Sequence, residues 1–487
     1  MKFKEIISLL ENRGFLVSFD ESNLDIDYIS YNSKDIKAST ILFCKGINFK
    51  KEYLEEAIKK GATCYVSAVN YDVNIPCIIV NDVMKSLAVI SHEFYKDDKK
   101  ICLIGVTGTK GKTTTVSFIN NMLNQYSEKE TAYMGTIDFY TGLRREKSHN
   151  TTPESLDITK NIAEAKSCNI DFMTMEVSSQ AHKAARIFDM NFNYGVWVNI
   201  APDHISPLEH KDYDDYFNSK LGFLKQCQKI ILFKHTDRYE EIIKELSDKE
   251  IITYGLTNDC TYYIKELKRE DNITSFTVVH DETSEIFQIS ISGSFNALNA
   301  LAAIIIGKDL NISSEKINLG LLKTNVEGRM NVFFGEKCPI IVDYAHNKLS
   351  GEALLQSITE EYPGKKIRLV FGSCGDRAYN RRKELGELAG EYASYCYLTA
   401  DDPQTKTVFD ICQDIIPYIE KENKPYKIIE DREVAVRLAI SEATSNDIVV
   451  IIGKGDETYQ IINHVFTPYM GDTNIVKEIV SKIKEKQ

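Results

Sequence analysis

The chain has 487 residues, 43% hydrophobic and 27% charged, an ordinary balance for a globular protein and enough for about three domains. With 59 Lys and Arg against 71 Asp and Glu the formal net charge is −12, which excludes a general grip on a nucleic-acid backbone and requires any polyanion site to be local. The longest wholly apolar run, Ala300–Ile306, is too short to span a bilayer, and Met1-Lys2-Phe3-Lys4-Glu5 opens on charges with no apolar signal core. The 11 cysteines are dispersed without a C-x-x-C pair, so reduced thiols, a cytoplasmic location and no zinc, membrane or nucleic-acid partner are expected.

Residues 1–97 mix short apolar runs with helical stretches. Ile41–Cys44 and Cys77–Val80 read as buried strands, and Tyr53–Lys60 as an amphipathic helix stopped by Gly61. The charged break Asp97-Asp98-Lys99-Lys100 predicts a domain boundary after 97. From Ile101 the pattern becomes strand, glycine-rich turn, helix: Ile101–Ile104, then Gly105–Thr113, then a helix over Thr114–Tyr126. Phe172–Met175, Val196–Val198 and Ile230–Phe233 follow as further strands, which predicts a doubly wound, mostly parallel sheet.

A third region starts near 330, with strands at Pro339–Asp343, Ile367–Phe371, Tyr395–Thr399 and Asp447–Gly453 separated by helices. The fold class is therefore α/β in three domains. A small α/β domain spans 1–97, a central phosphate-loop domain 98–329 and a Rossmann-like domain 330–487.

The turn Gly105-Val106-Thr107-Gly108-Thr109-Lys110-Gly111-Lys112-Thr113 stands where a phosphate loop must stand. Its glycines let backbone N–H groups converge on phosphate oxygens, and a helix N-terminus adds partial positive charge. Lys112 can reach the β- and γ-phosphates, and the Thr113 hydroxyl can ligate Mg²⁺. Gly105 and Gly111 enclose one residue more than the strict pattern, so the loop predicts nucleotide binding without naming a reaction. Glu176 follows the apolar strand Phe172–Met175, at the end where α/β folds put ligands, and its carboxylate can share a Mg²⁺ with Thr113. Read alone, His204 is a solvated loop histidine, Lys220 a solvated helix lysine, and Asn296 and Asn299 helix-capping residues.

This loop, continued by Thr114, resembles the ATP loop of the Mur ligases, ATP-dependent amino-acid ligases of peptidoglycan precursor synthesis. Further motifs recur in that family's order: Asn150-Thr151-Thr152-Pro153, Met175-Glu176-Val177-Ser178-Ser179, Asp203-His204, Tyr216-x-x-x-Lys220, and Gly293-x-Phe295-Asn296-x-x-Asn299. Gly328-Arg329-Met330, Asp343-Tyr344-Ala345-His346, Phe371-Gly372-x-x-Gly375-Asp376-Arg377, Asp401-Asp402-Pro403 and Gly453-Lys454-Gly455-x-Glu457 complete the set. The members that add the third peptide residue are the most similar, over nearly the whole chain.

The resemblance implies that UDP-MurNAc-L-Ala-D-Glu, ATP and a diamino acid are the substrates and that an acyl phosphate forms between them. It implies ATP contacts from Gly108, Thr109, Lys110, Gly111, Lys112, Thr113, Thr114, Asn296, Asn299, Arg329 and Asp343. It implies two Mg²⁺ sites, with Thr113, Glu176, His204 and a carbamylated Lys220 as ligands, and Lys112, Glu176, His204 and Lys220 as the catalytic set. It assigns Ser33, Asn150, Thr151, Thr152, Ser178 and Arg186 to the nucleotide-sugar peptide. Ser33 lies in Tyr31-Asn32-Ser33-Lys34, where Lys34 replaces a usual arginine, and Ala184-Ala185 precede Arg186 where polar residues are frequent.

The incoming amino acid falls, by the same resemblance, to Arg382 for its carboxylate, with Asp401, Asp402, Gln404, Gly453 and Glu457 around it. Diaminopimelate-adding members carry Asp-Asn-Pro-Arg where this chain has Asp401-Asp402-Pro403-Gln404. Gln404 cannot pair a second carboxylate, and Asp402 favours an ammonium, so charge favours L-lysine, with ornithine and diaminopimelate as alternatives. A folylpolyglutamate-synthetase-like or other Mur-like ligase, and a nucleotide-binding regulatory protein, are the competing readings. A monomer is expected.

Overall fold

The computed structural model describes residues 1–46, 48–206, 209–270, 273–326 and 328–484, which form three large sheets in consecutive stretches of the chain and one two-stranded hairpin. The first has the order Leu16–Phe19, Cys77–Val80, Ala62–Ser67, Thr40–Phe43, Tyr28–Ser30, and only its Leu16–Phe19 edge runs antiparallel. Thr40–Phe43 is wholly buried, as a strand covered on both faces must be. The helix Lys51–Lys60 ends at Gly61, whose φ of 116° gives the left-handed stop that the sequence predicts.

The second sheet has eleven strands. Its parallel heart is ordered Glu250–Gly255, Cys227–Phe233, Phe192–Trp197, Cys102–Thr107, Phe172–Glu176, Ala132–Met134. The chain winds to one side of Cys102–Thr107 and then to the other, so a crevice opens at the C-terminal end of that strand. The phosphate loop leaves from this end, and Glu176 ends the neighbouring strand. Trp197 is fully buried on the other neighbour, its indole N–H donating to Thr236 Oγ1 at 2.9 Å. The helix Lys112–Leu123 packs against Phe295–Asp309 and Ser314–Leu322 and is buried around most of its circumference.

Antiparallel pairings extend both ends of this sheet, although Tyr262–Glu270 itself joins Glu250–Gly255 in parallel. Tyr262–Glu270, Ile273–His280 and Thr283–Ile289 form a meander at one end, and Asp138–Tyr140 and Arg145–Lys147 add a small one at the other. The sequence reading does not foresee either. Strands such as Arg145–Lys147, exposed throughout, carry no apolar alternation to betray them.

The third sheet runs Asn331–Phe334, Pro339–Asp343, Asp447–Ile452, Lys366–Phe371, Ala393–Leu398, Tyr426–Ile428, parallel apart from the first pair. All four strands expected in this region are present. A separate hairpin, Tyr459–Ile462 with Val465–Pro468, lies beside the segment that follows Leu398. Among the described residues no helix is long and apolar enough to cross a membrane.

Candidate active site

A cavity of about 870 Å³ lies where the C-terminal ends of the central strands face those of the third sheet. The central region contributes the phosphate loop from Thr109 to Thr114, with Glu176, Asp203, His204, Asn296 and Asn299. The C-terminal region contributes Arg329, Asp343, His346, Arg377, Arg381, Asp401, Asp402, Gly453 and Glu457.

Gly111 holds φ at 85° and starts the helix Lys112–Leu123 without a capping side chain. A Cβ there would fall 2.7 Å from Asn299 Oδ1, so both the backbone angle and the close approach demand glycine. Lys112 Nζ donates to the carbonyls of Gly108 at 3.0 Å and Thr109 at 3.2 Å. An uncapped helix start, a lysine folded over the loop and a cavity of this size fit a nucleoside triphosphate.

Glu176 is buried, and its carboxylate accepts from Thr113 Oγ1 at 3.0 Å, the Thr136 amide at 2.8 Å and Thr136 Oγ1 at 3.1 Å. A buried carboxylate paired with a hydroxyl and opening on a phosphate loop is a hard-oxygen donor set that fits Mg²⁺. Next to it Thr152 donates to Glu176 O at 2.9 Å and accepts from the Ser178 amide at 3.0 Å, and Arg186 donates to Thr152 O at 2.9 Å. Thr151 lines the cavity. Asn150 and Ser33 do not, and Ser33 sits on a turn of the first region where its carbonyl accepts from Lys60.

Lys220 is buried, and its Nζ donates to Gly108 O at 2.8 Å beneath the loop. Burial and the nearby Lys112 ammonium push its pKa well below that of an ordinary lysine. Lys220 and His204 both contact the Tyr216 ring: Lys220 Nζ is 4.8 Å from the ring centre, and the His204 ring stacks on the same tyrosine at 6.1 Å. Tyr216 also bonds Thr109 Oγ1 at 3.0 Å. His204 holds φ at 56° and its Nδ1 lies 2.9 Å from Glu209.

Asp203 ties the two halves of the cavity. It receives Arg381 at 2.8 Å and Asn347 at 2.8 Å from the C-terminal region, and Lys110 lies 3.5 Å away. Burial alone would raise its carboxyl, but Lys110, Arg381, His204 and His346 outweigh that and hold it far below the usual range. Lys110 also bonds His346 Nε2 at 2.9 Å, and burial brings its ammonium down to about 7 against the pull of Asp203. Arg381 is not among the residues the sequence reading picks out, because nothing separates it from a solvated helix arginine.

Two residues expected at the amino-acid end, Arg382 and Gln404, are not among those lining the cavity. Arg382 is buried away from the cavity: its guanidinium donates to Cys374 O at 2.9 Å and to Gly375 O, and pairs Asp414 at 2.6 Å. Those bonds stitch the loop after Phe371 and leave the guanidinium Nε without a partner among the described residues. Arg377, five residues earlier in the same motif, lines the cavity with a half-exposed side chain. Gln404 likewise faces outward. Its φ is 56°, its amide donates to Ile461 O at 2.9 Å, and its side chain meets His464 at 2.9 Å on the hairpin. Asp401 and Asp402 do line the cavity, but Asp402 is engaged by Lys454 at 2.8 Å and the Ile461 amide at 3.0 Å. Lys454 also pairs Glu457 at 2.5 Å and is held above its ordinary range by Asp401, Glu457 and Asp402 despite its burial.

Arg329 lies over the Tyr344 ring at 4.3 Å, and Tyr344 donates to Glu457 Oε1 at 2.8 Å. Asp343 accepts from the Met330 and Ala345 amides at 2.7 and 2.6 Å, and burial raises its pKa. Asn296 and Asn299 occupy the first turn of Phe295–Asp309, with Asn299 Nδ2 donating to Asn296 Oδ1 at 2.9 Å.

Comparison with known proteins fits this geometry. Residues 106–307 match the Mur ligase middle domain, and residues 328–455 match the Mur ligase, glutamate ligase domain. The chain belongs to the Mur ligase family. A UDP-N-acetylmuramoyl-L-alanyl-D-glutamate–L-lysine ligase from Enterococcus faecalis is 37% identical over 470 residues, 94% of this chain and 92% of that protein. One of the same name from Streptococcus thermophilus is 37% identical over 462 residues, 94% and 93% of the two chains. Among solved structures, a UDP-N-acetylmuramoyl-L-alanyl-D-glutamate–2,6-diaminopimelate ligase superposes with a TM-score of 0.67 at 23% identity over 99% of each chain. The MurF ligase of Thermotoga maritima in complex with ADP does so with a TM-score of 0.64 at 16% identity, covering 94% of this chain and 98% of that one. These two likenesses establish the Mur ligase fold of the whole chain. Mur ligases use ATP and Mg²⁺.

Proposed function

We propose that this Mur ligase joins L-lysine to the D-glutamyl γ-carboxylate of UDP-MurNAc-L-Ala-D-Glu at the expense of ATP, in cytoplasmic peptidoglycan precursor synthesis. The observation that carries the reading is the single cavity that gathers the phosphate loop, the Thr113–Glu176 pair and the Arg377–Asp401–Glu457 end. The relatives named as L-lysine ligases support the choice of amino acid. In this reading residues 1–97 hold the nucleotide sugar, 98–329 hold ATP, and 330–487 hold the amino acid.

The γ-carboxylate attacks the γ-phosphorus of ATP, giving an acyl phosphate and ADP. The amine of lysine then attacks the acyl carbon, and the tetrahedral intermediate expels phosphate as the amide forms. Two anions must meet in the first step. Lys112 and Lys110 offset their repulsion, while Arg329 and Asp343 orient the nucleotide. Thr113 and Glu176 would hold one Mg²⁺, and His204 with Lys220 would be ligands of a second; the ions would neutralise the remaining phosphate charge. Carbamylation of Lys220 belongs to this proposal: a lysine whose proton is displaced by burial presents the free amine that adds CO₂. Arg377 takes the part first assigned to Arg382 and receives the lysine carboxylate. Lys454 is shared between Asp402 and Glu457, and Asp401 and Glu457 line the cavity and face the amino groups. The stretch Thr151, Thr152, Ser178 and Arg186 holds the dipeptide arm.

The test is ADP release with UDP-MurNAc-L-Ala-D-Glu and lysine, ornithine or diaminopimelate supplied in turn. Lysine should give the highest kcat/KM. Preference for diaminopimelate would reject the choice of amino acid, and no ADP with any of them would reject the ligase reading.

A further inference from the structure

The helix Phe295–Asp309 carries Asn296 and Asn299 in its first turn, yet no side chain of its own caps it. The cap comes from a different region of the chain. Glu361, the last residue of the helix Lys348–Glu361, accepts the Gly293 amide at 2.7 Å, and Ser357 Oγ, one turn earlier, accepts the Ser294 amide at 3.1 Å. Ser357 in turn donates to Glu361 Oε1 at 3.2 Å, and Arg269 from the antiparallel meander stands 3.2 Å from Glu361 Oε2. A carboxylate bound to the turn just ahead of a helix fixes that turn and faces the positive end of the helix dipole.

The bonds continue from this cap to the nucleotide loop. Ser292 O accepts Asn296 Nδ2 at 2.6 Å, Asn296 Oδ1 accepts Asn299 Nδ2, and Asn299 packs on Gly111. We infer that Glu361, assisted by Ser357, is a positioning residue that caps the asparagine-bearing helix from the C-terminal region, so that seating of that region and binding of ATP reinforce each other. The inference rests on ATP occupying the cavity described above. It gives one physical cause for linkage: the same bonds that seat the C-terminal helix set the asparagines.

The full-length chain tests this through the dissociation constant of a non-hydrolysable ATP analogue, measured by calorimetry without other substrates, and through separate KM values. Glu361→Ala should weaken the analogue about tenfold, the worth of one charge-assisted hydrogen bond, and Glu361→Gln, whose amide oxygen still accepts, about threefold. Glu360→Gln, on the exposed neighbour, should change nothing. At saturating ATP, kcat and KM for the amino acid should stay within about twofold of the unaltered enzyme. Wild-type affinity in Glu361→Ala overturns the inference, as does a parallel rise in both KM values, which marks general loosening. Should Glu361→Ala not fold, Glu361→Gln and Ser357→Ala carry the test. An unaltered enzyme that fails to bind the analogue rejects the ATP reading itself, an outcome distinct from equal binding by wild type and variant.

Discussion

Arg377 and Arg382 lie five residues apart, and alanine at each should fail in a different way. The Arg382 guanidinium is buried on the carbonyls of Cys374 and Gly375 and on Asp414. Its removal orphans two loop carbonyls at about 1–3 kcal/mol each, so a total of about 2–4 kcal/mol is expected after partial hydration. For a unit of this size that corresponds to a fall of roughly 5–15 °C in Tm. KM for lysine should barely move where the variant is folded. Arg377 has a half-exposed side chain, and its nearest carboxylate, on Asp402, is 3.7 Å away. Its loss should leave Tm within about 2 °C but remove a charged hydrogen bond to the substrate carboxylate, worth about 1.5–3 kcal/mol. That is a rise of about 10- to 150-fold in KM for lysine. Initial rates at saturating ATP and scanning calorimetry on both variants make the comparison. If Arg382→Ala raises KM for lysine as much as Arg377→Ala while melting like the unaltered enzyme, the placement of the two arginines is wrong.

Lys220→Ala should lose activity and regain part of it with short carboxylic acids that stand in for the carbamate; intact mass spectrometry should show one CO₂ increment that vanishes on acidification. Lys110 gives a pH signature. Its folded-state pKa of about 7 lies below the unfolded value of about 10.4, so the free protein is destabilised below pH 7 and gains stability as pH rises between the two values. Phosphates bound at the loop favour the ammonium, so analogue binding should take up a proton and weaken from pH 7 to 9. Lys110→Asn should flatten that slope, read by calorimetry in buffers of different ionisation enthalpy. Glu176→Gln removes the buried carboxylate facing Thr113 and should raise the half-saturating Mg²⁺ concentration by about tenfold or more in the ADP-release assay.

Where burial imposed a pattern, the sequence was readable. Continuous apolar runs such as Asp447–Ile452, buried at every position, announced parallel strands, and the loop between Cys102–Thr107 and Lys112–Leu123 announced phosphate. The antiparallel additions stayed hidden because strands such as Tyr262–Glu270 are largely exposed and do not alternate cleanly. At the cavity, Thr113, Glu176, Asn299 and Asp343 are brought together as spacing and resemblance suggested. Arg377–Arg382 was harder to read, because three arginines share one short loop-and-helix segment and chain position alone does not tell which guanidinium bonds the protein and which lines the cavity. The contact of Gln404 with His464 was hidden for a related reason: it is made to a hairpin whose exposed residues gave no sequence signal.

Trp197 is the chain's one tryptophan. It is sealed in the strand beside Cys102–Thr107, edge-on to Phe217 at 6.0 Å and tethered to Thr236. All tryptophan emission therefore originates from a single dry point in the central sheet, two strand positions before Asn199, whose side chain accepts the Lys110 amide. The protein thus carries an intrinsic optical probe of its middle third: a red shift on denaturant titration reports loss of this sheet, while melting confined to either flanking region leaves the spectrum silent.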